Sequence, residues 1–463
     1  MAEVVIVGAG LTGLTAAYYL EKNNFHDFKI FEKENLSGGL LRSFNQDGFT
    51  FDFTGHLLHI NNQDFYNFLN EVAGINNFFV QNRNSSIFMQ NTFTQYPFQT
   101  NLYGLPENII YDVIYGFINR KKNIKSPKSF HEWVLKYFGA GIGKHFLFPY
   151  NKKLLSYDIK KIDHTWTGRF VPQTDLKSII YSALNNKNTK NNLGYNSSFY
   201  YPKYGGINYL INKLQDKIKN KINNNFNLIK IDLKNKILIF ENGYTEKFKY
   251  LISSVPLNYL LEISQDKANT SLQVNHKNLL CNSVINFNLG FNVQNFKNNN
   301  LNNKHWIYFS EKQYNFYRLG FWHNINHNLT PNNYCAIYGE VSYINKNYKY
   351  RNNLTNSSIK QALEFLNIKQ DDIIVNNILN INNAYVIYNN WRQKNLHKLQ
   401  EKLLLENIHS IGRFGAWKYS SMQEAFLDGK QAATKILDDL NINKNFRGLI
   451  THEHKNIAKL LQQ

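Results

Sequence analysis

Sulfur and proline are scarce in this chain: its 463 residues include 2 cysteines, 3 methionines and 8 prolines. Cys281 and Cys335 are too few for a disulfide framework, which points to a reducing compartment. No run of about 18 apolar residues occurs, which argues against a membrane span. The opening MAEVVIVGAG enters a strand at once, without the basic-then-apolar layout of a secretory leader. The expected location is therefore cytoplasmic. Acidic residues are short too: 33 Asp+Glu stand against 53 Lys+Arg, a net charge of +20. These cations are scattered, as in NNKNTKNN around Lys187, and form no single stripe with interleaved aromatics. That pattern predicts no nucleic-acid partner. Aromatics are abundant, with 30 Tyr and 34 Phe, enough for a core and for a polar, phenol-rich cleft.

The most informative segment is N-terminal. Glu3 to Val7 is a short apolar run, the mark of a buried parallel strand. Gly8, Gly10 and Gly13 follow in G-x-G-x-x-G spacing, then a helical stretch from Leu14 and a second strand from Phe28 to Glu32. Gly8 permits the tight turn, Gly10 lets the backbone approach a pyrophosphate, and Gly13 lets helix and strand pack closely. The helix N-terminus offers N–H groups to the phosphates. Glu32 closes the second strand, where a carboxylate accepts from a ribose diol. A second glycine pair, Gly38-Gly39, comes soon after. A strand and helix near the far end carry Gly412-Arg413-Phe414-Gly415. The glycine pair after the ribose acid resembles the extended signature of FAD-binding proteins of the amine-oxidase and glutathione-reductase type, in which a C-terminal strand and helix return to close over the flavin, and that resemblance favours FAD over NAD.

Strands and helices alternate, which predicts an α/β fold. It comprises a Rossmann-like FAD-binding domain, a helical lobe and a second, mostly antiparallel substrate sheet. The expected division is FAD domain 1–90, helical lobe 91–200, FAD domain again 201–260, antiparallel sheet 261–400, and a C-terminal FAD-domain segment 401–463. The stretch from Pro106 to about Tyr181 reads mostly as helix. Antiparallel strands are expected over Val284–Phe291, Trp306–Phe309, Tyr317–Phe321 and Cys335–Tyr343, and surface loops near Asn185, Asn298 and Asn345.

Several motifs, taken in order, resemble UDP-galactopyranose mutases, particularly the eukaryotic-type branch and its bacterial relatives, within the amine-oxidase-like FAD superfamily. They are Thr54-Gly55-His56, Tyr96-Pro97-Phe98-Gln99, Phe148-Pro149-Tyr150-Asn151, Gly168-Arg169-Phe170, Asn196-Ser197-Ser198, Phe316-Tyr317-Arg318 and Arg413-Phe414-Gly415-Ala416-Trp417-Lys418-Tyr419. The resemblance implies an isomerase of cell-surface polysaccharide biosynthesis that interconverts pyranose and furanose forms of a UDP-sugar. The reaction passes through a flavin N5–sugar adduct, with FAD reduced and no net redox change.

Roles follow by the same resemblance. His56, Arg169 and Arg318 are the expected catalytic residues, the two arginines holding the diphosphate. Tyr308, Tyr388 and Tyr419 would donate hydroxyls to it. Tyr96, Gln99, Phe148 and Asn151 would line the uridine pocket, with Asn196 near the sugar. FAD would be held by Gly8, Gly10, Thr12, Gly13, Glu32, Lys33, Gly38, Gly39, Leu40, Thr54, Gly55, His56, Leu228, Gly412, Arg413, Met422 and Gln423. NAD(P)H stays open as the reductant, and a homo-oligomer stays open as the assembly.

Two departures from the family pattern stand out. Thr54 replaces the first glycine of a usual Gly-Gly-His, and Lys153-Leu154-Leu155 lacks the usual tryptophan after Pro-Tyr-Asn. Both fall where sugar specificity could be set. An oxidase or desaturase of the amine-oxidase or protoporphyrinogen-oxidase type is the alternative. It would favour a mostly apolar cleft over one with arginines and phenols.

Overall fold

A computed structural model describes residues 2–185, 196–264, 275–296, 299–344 and 347–441, apart from the side chains of Arg169 and Asn299. Most of each expected Asn-rich loop (186–195, 297–298 and 345–346) lies outside the described residues.

The first sheet is built around the N-terminal apolar run. Ala2–Val7 pairs in parallel with Phe28–Phe31 on one side and with Thr245–Ser253 on the other. Val4, Val5 and Ile6 are fully buried, as a strand covered on both faces requires. Ile408–Ser410 adds a further parallel strand beside Thr245–Ser253. Leu228–Asp232 and Ile237–Phe240 extend the same sheet as an antiparallel hairpin. The helices Leu11–Lys22 and Met422–Asp439 cross closely, where a Cβ on Gly429 would lie 2.4 Å from the Thr12 carbonyl oxygen.

The second sheet runs Ile373–Ile381, Ser283–Asn292, Tyr334–Tyr343, Arg318–Phe321, Trp306–Phe309, Ser85–Met89 and Thr92–Gln95. Its pairings are antiparallel except that between Trp306–Phe309 and Ser85–Met89. The hairpin Ser85–Gln95 thus belongs to this sheet, although a boundary at residue 90 would split it. One face packs Phe287, Leu289 and Ile337 with Ile359, Leu363 and Leu366 of the helix Tyr348–Leu366. The opposite face looks into the interior cleft.

Between Glu107 and Leu184 the described elements are helices, as the apolar spacing predicts. One feature there could not be anticipated. Gly139–Ile142 runs through a π-helical stretch, Gly143–Leu147, into Phe148–Leu155. The helix Asn390–Leu405 also escaped the sequence reading; only Arg392, Leu399 and Leu403 of it are buried, so its apolar signal is thin.

Candidate active site

A cleft of about 1110 Å³ opens between the two sheets and the helical lobe. Its cofactor end is a cradle of backbone. The turn at Gly8–Gly10 faces the turn at Gly38–Gly39, and Gly38 N donates to Ala9 O at 2.8 Å. A Cβ on Gly10 would have only the Gly39 Cα nearby, at 3.9 Å, so the space over this turn is open. Gly13 lies behind it, where a Cβ would sit 2.0 Å from Gly8 O. It acts through packing and does not line the cleft.

The Glu32 carboxylate, buried, accepts from Ala9 N at 2.8 Å and Glu34 N at 3.0 Å. Each oxygen keeps acceptor capacity, and Glu32 lines the cleft. Thr12, Lys33, Leu40 and Leu228 line the same end, and Gly412 and Met422 close it from the C-terminal segment. Gln423 does not line it; its Oε1 accepts from Asn61 N at 3.0 Å and ties two loops. Arg42, passed over in assigning roles, does line it, with Nε donating to Gly39 O at 2.9 Å. An open double-glycine cradle, a carboxylate at its rim and a cation beside it fit a dinucleotide such as FAD.

Further in, the wall becomes cationic and phenolic. Tyr308, Arg318 and Glu340 are cross-strand partners and so share one face of the second sheet. Arg318 donates from Nε to Glu340 at 2.8 Å and from Nη2 at 2.5 Å. Glu340 is wholly buried and Arg318 remains 19% exposed toward the cleft. Nη1 has no protein partner among the described residues. Arg413 comes from the opposite wall. Its guanidinium donates to the carbonyls of Ala384 and Ser420 and lies 5.3 Å from the Tyr385 ring and 5.1 Å from that of Tyr419. Neutral carbonyls hold it in place, so its charge is left for a ligand. His56 lines the same cleft, near enough to both cations to be affected by their charge. Burial first, then Arg413 and Arg318, push its imidazole down to about 3, so the ring is neutral at ordinary pH.

Other expected residues meet here. Tyr96 packs against Tyr308 with the rings tilted, centroids 4.9 Å apart, and Arg83 sits 4.8 Å above the Tyr96 ring while also binding Asn196. Gln99 and Asn151 face the cleft with their amide NH₂ groups held by Pro172 O and Leu147 O, at 2.7 and 2.8 Å. Tyr419 lies 4.6 Å from Phe170. The Arg169 backbone falls in the short helix Gly168–Phe170, but its side chain lies outside the described residues.

Two further expectations are corrected. Tyr388 does not line the cleft: its hydroxyl accepts from Tyr419 N at 2.9 Å, and its ring lies 3.6 Å under the Arg392 guanidinium. The cleft-facing phenol is Tyr385, three residues earlier in the same Ala-Tyr-Val-Ile-Tyr run. Phe148 is likewise off the wall, stacked on His131 at 4.6 Å. Phe146 faces the cleft instead, stacked between Phe98 and Tyr150 at 5.3 and 5.1 Å. The cleft also has tryptophans, Trp166 and Trp306, whose buried indole N–H groups have no partner among the described residues. Buried donors left unmade are costly, so each points to a ligand or water. Lys153 points elsewhere: its ammonium is caged by the carbonyls of Phe309 at 3.0 Å and Glu311 at 2.6 Å.

Comparison with known proteins agrees with this geometry. The crystal structure of reduced UDP-galactopyranose mutase superposes with a TM-score of 0.87 at 26% identity, over 95% of this chain and 94% of that one. A putative protoporphyrinogen oxidase from Exiguobacterium sp. 255-15 shares the fold, with a TM-score of 0.71 at 15% identity, over 95% of this chain and 99% of that one. Among curated proteins, the 4,4'-diapophytoene desaturase (4,4'-diaponeurosporene-forming) of Staphylococcus aureus strain COL is 44% identical over 50 residues. That stretch is 11% of this chain and only 10% of the desaturase. No helix among the described residues is long and apolar enough to cross a membrane. A profile for flavin containing amine oxidoreductases matches residues 11–342, most of the chain, and the protein belongs to that family.

Proposed function

We propose that the protein is a flavin-dependent nucleotide-sugar mutase that interconverts the pyranose and furanose forms of UDP-galactose or a related UDP-sugar. The observation that carries this reading is one continuous cleft. The double-glycine cradle forms one end, and Arg318, Arg413, Tyr308, Tyr385 and Tyr419 gather at the other. Cations and phenols in that number suit a diphosphate, and an apolar polyene would leave them unpaired. Likeness to a mutase over nearly the whole of both chains supports the same reading.

Reduced FAD, when bound, supplies the N5 nucleophile for the anomeric carbon. The chain's own residues do the rest. Gly8, Gly10, Glu32 and Gly38–Gly39 hold the dinucleotide. Arg318, with Tyr308, Tyr385 and Tyr419, binds the diphosphate and keeps the departing UDP in place, which retains proximity for its return. Phe146 and Tyr150 give the nucleobase a face to stack on, and Gln99 and Asn151 keep carbonyl acceptors free for its edge. The division into five segments, with breaks near 200, 260 and 400, is proposed with this reading, and the first break, expected at 90, moves ahead of the hairpin Ser85–Gln95, which pairs into the second sheet. The division is supported by the single sheet that gathers strands from Ala2–Val7, Thr245–Ser253 and Ile408–Ser410.

The test is turnover of a UDP-sugar panel by dithionite-reduced, FAD-loaded protein, with products read by NMR. A furanose isomer from reduced but not oxidised protein is expected. Stoichiometric oxygen consumption with an apolar or amine substrate, and no isomer, would replace this reading by an oxidase.

A further inference from the structure

Lys153 brings an ammonium to a place where the fold supplies only carbonyls. Its Nζ donates to Glu311 O at 2.6 Å, to Phe309 O at 3.0 Å and, at longer range, to Phe316 O at 3.4 Å. An ammonium has three donors, so all of them are spent. No ion pair joins it among the described residues. The Glu311 carboxylate turns to Gln90 instead, accepting from its Nε2 at 2.7 Å. A cation buried among neutral acceptors is costly, and burial pushes this amine down to about 7. The other charges on the packed elements are matched or exposed: Arg318 pairs with Glu340, Lys144 and His145 pair with Asp112, and Lys152 and Lys312 face solvent.

The three carbonyls belong to the connection between Trp306–Phe309 and Arg318–Phe321, strands on which Tyr308 and Arg318 are direct partners. Lys153 lies on the helix Phe148–Leu155, three residues beyond Tyr150 and so on the same face. Tyr150 touches the same hairpin, its ring edge-on to Tyr308 with centroids 5.5 Å apart. A ring contact and a polar tie thus join the wall that carries Tyr150 and Asn151 to the wall that carries Tyr308 and Arg318.

We propose that Lys153 is a positioning residue: its ammonium holds the Tyr308–Arg318 hairpin at a fixed distance from the helix bearing Tyr150 and Asn151, so that one nucleoside diphosphate engages both walls at once. The assignment of those walls to nucleobase and diphosphate rests on the mutase reading. A ligand that spans both walls gains from their spacing what its two halves, binding separately, do not.

The experiment uses oxidised, FAD-loaded protein and calorimetric affinities for UDP-galactose, uridine and inorganic pyrophosphate. Lys153→Met should weaken UDP-galactose roughly 10-fold, while uridine and pyrophosphate each stay within about twofold of wild type. A second arm needs no variant. As pH rises from about 6 to about 8.5 the ammonium loses its proton, and a neutral amine has two donors for three carbonyls. UDP-galactose, whose diphosphate diester does not titrate in that range, should then bind several-fold more weakly to wild type, with uridine unchanged. Where Lys153→Met folds it decides, and otherwise the pH arm does. Two results overturn the proposal: UDP-galactose keeps its affinity, or a fragment weakens in proportion with it, which would leave Lys153 a role in folding alone. Wild-type protein that binds no UDP-galactose at any pH would instead fail the mutase reading, and the proposal with it.

Discussion

The Arg318–Glu340 pair allows a charge-removal test of the diphosphate site. Glu340 is wholly buried and both of its oxygens bind Arg318. Removing either partner alone strands a buried charge, at a cost of about 3–5 kcal/mol. Arg318→Gln alone is therefore a poor probe, since lost folding would mimic lost binding. The double variant Arg318→Gln/Glu340→Gln removes both charges and leaves two neutral amides that can bond to each other. Its thermal stability should lie well above that of either single variant. Its affinity for UDP, measured calorimetrically on FAD-loaded protein, should fall by about 1.5–3 kcal/mol, the worth of a hydrogen bond to a charged group. That is roughly a 10- to 150-fold rise in Kd. A folded double variant that binds UDP like wild type would remove Arg318 from the diphosphate site. A double variant as unstable as the singles would refute the compensated-pair account.

The remaining predictions concern other walls of the cleft and the core. Tyr385→Phe should weaken UDP binding by about 0.5–1.5 kcal/mol, while Tyr388→Phe should leave UDP affinity nearly unchanged and lower the melting temperature; equal effects on affinity would put Tyr388 in the diphosphate site beside Tyr385. Gly13→Ala should yield protein that fails to retain flavin absorbance after desalting, because its Cβ would sit 2.0 Å from Gly8 O; full flavin occupancy would contradict the packing. Burial pushes the Asp52 carboxyl up to about 6 despite hydrogen bonds from Ser43, Tyr201 and Ile207 N. With the folded value above the unfolded one, the folded state binds the proton more tightly. The penalty is thus absent below about pH 4 and complete above about pH 6, near 3 kcal/mol in size. Asp52→Asn should flatten the stability change between those pH values, and an unchanged slope in urea titrations would assign it to another group.

The cofactor end was legible because its information is local. Glycine spacing, the strand before it and Glu32 after it all lie within about thirty residues, the length of one strand–helix–strand unit. Leu228, Gly412 and Arg413 were reachable through resemblance alone, since nothing local says that distant segments converge. The misses have geometric causes. Choosing Tyr385 over Tyr388 required knowing which way an irregular connection turns. Choosing Phe146 over Phe148 required knowing of the π-helical turn, which inserts a residue and rotates everything after it. Glu340 reads as an ordinary strand residue until its register partner is known to be Arg318.

The parallel sheet has a consequence for biosynthesis. Its first strand is made within the first ten residues, yet the neighbouring strand ends at Ser253 and the next at Ser410. Met422 and Arg413, which close the cleft, are made later still. A nascent chain on the ribosome therefore holds half a cradle for most of translation. Capture of the cofactor should follow release, so deletions that remove residues beyond about 405 should give chains empty of flavin, however well their earlier helices have folded.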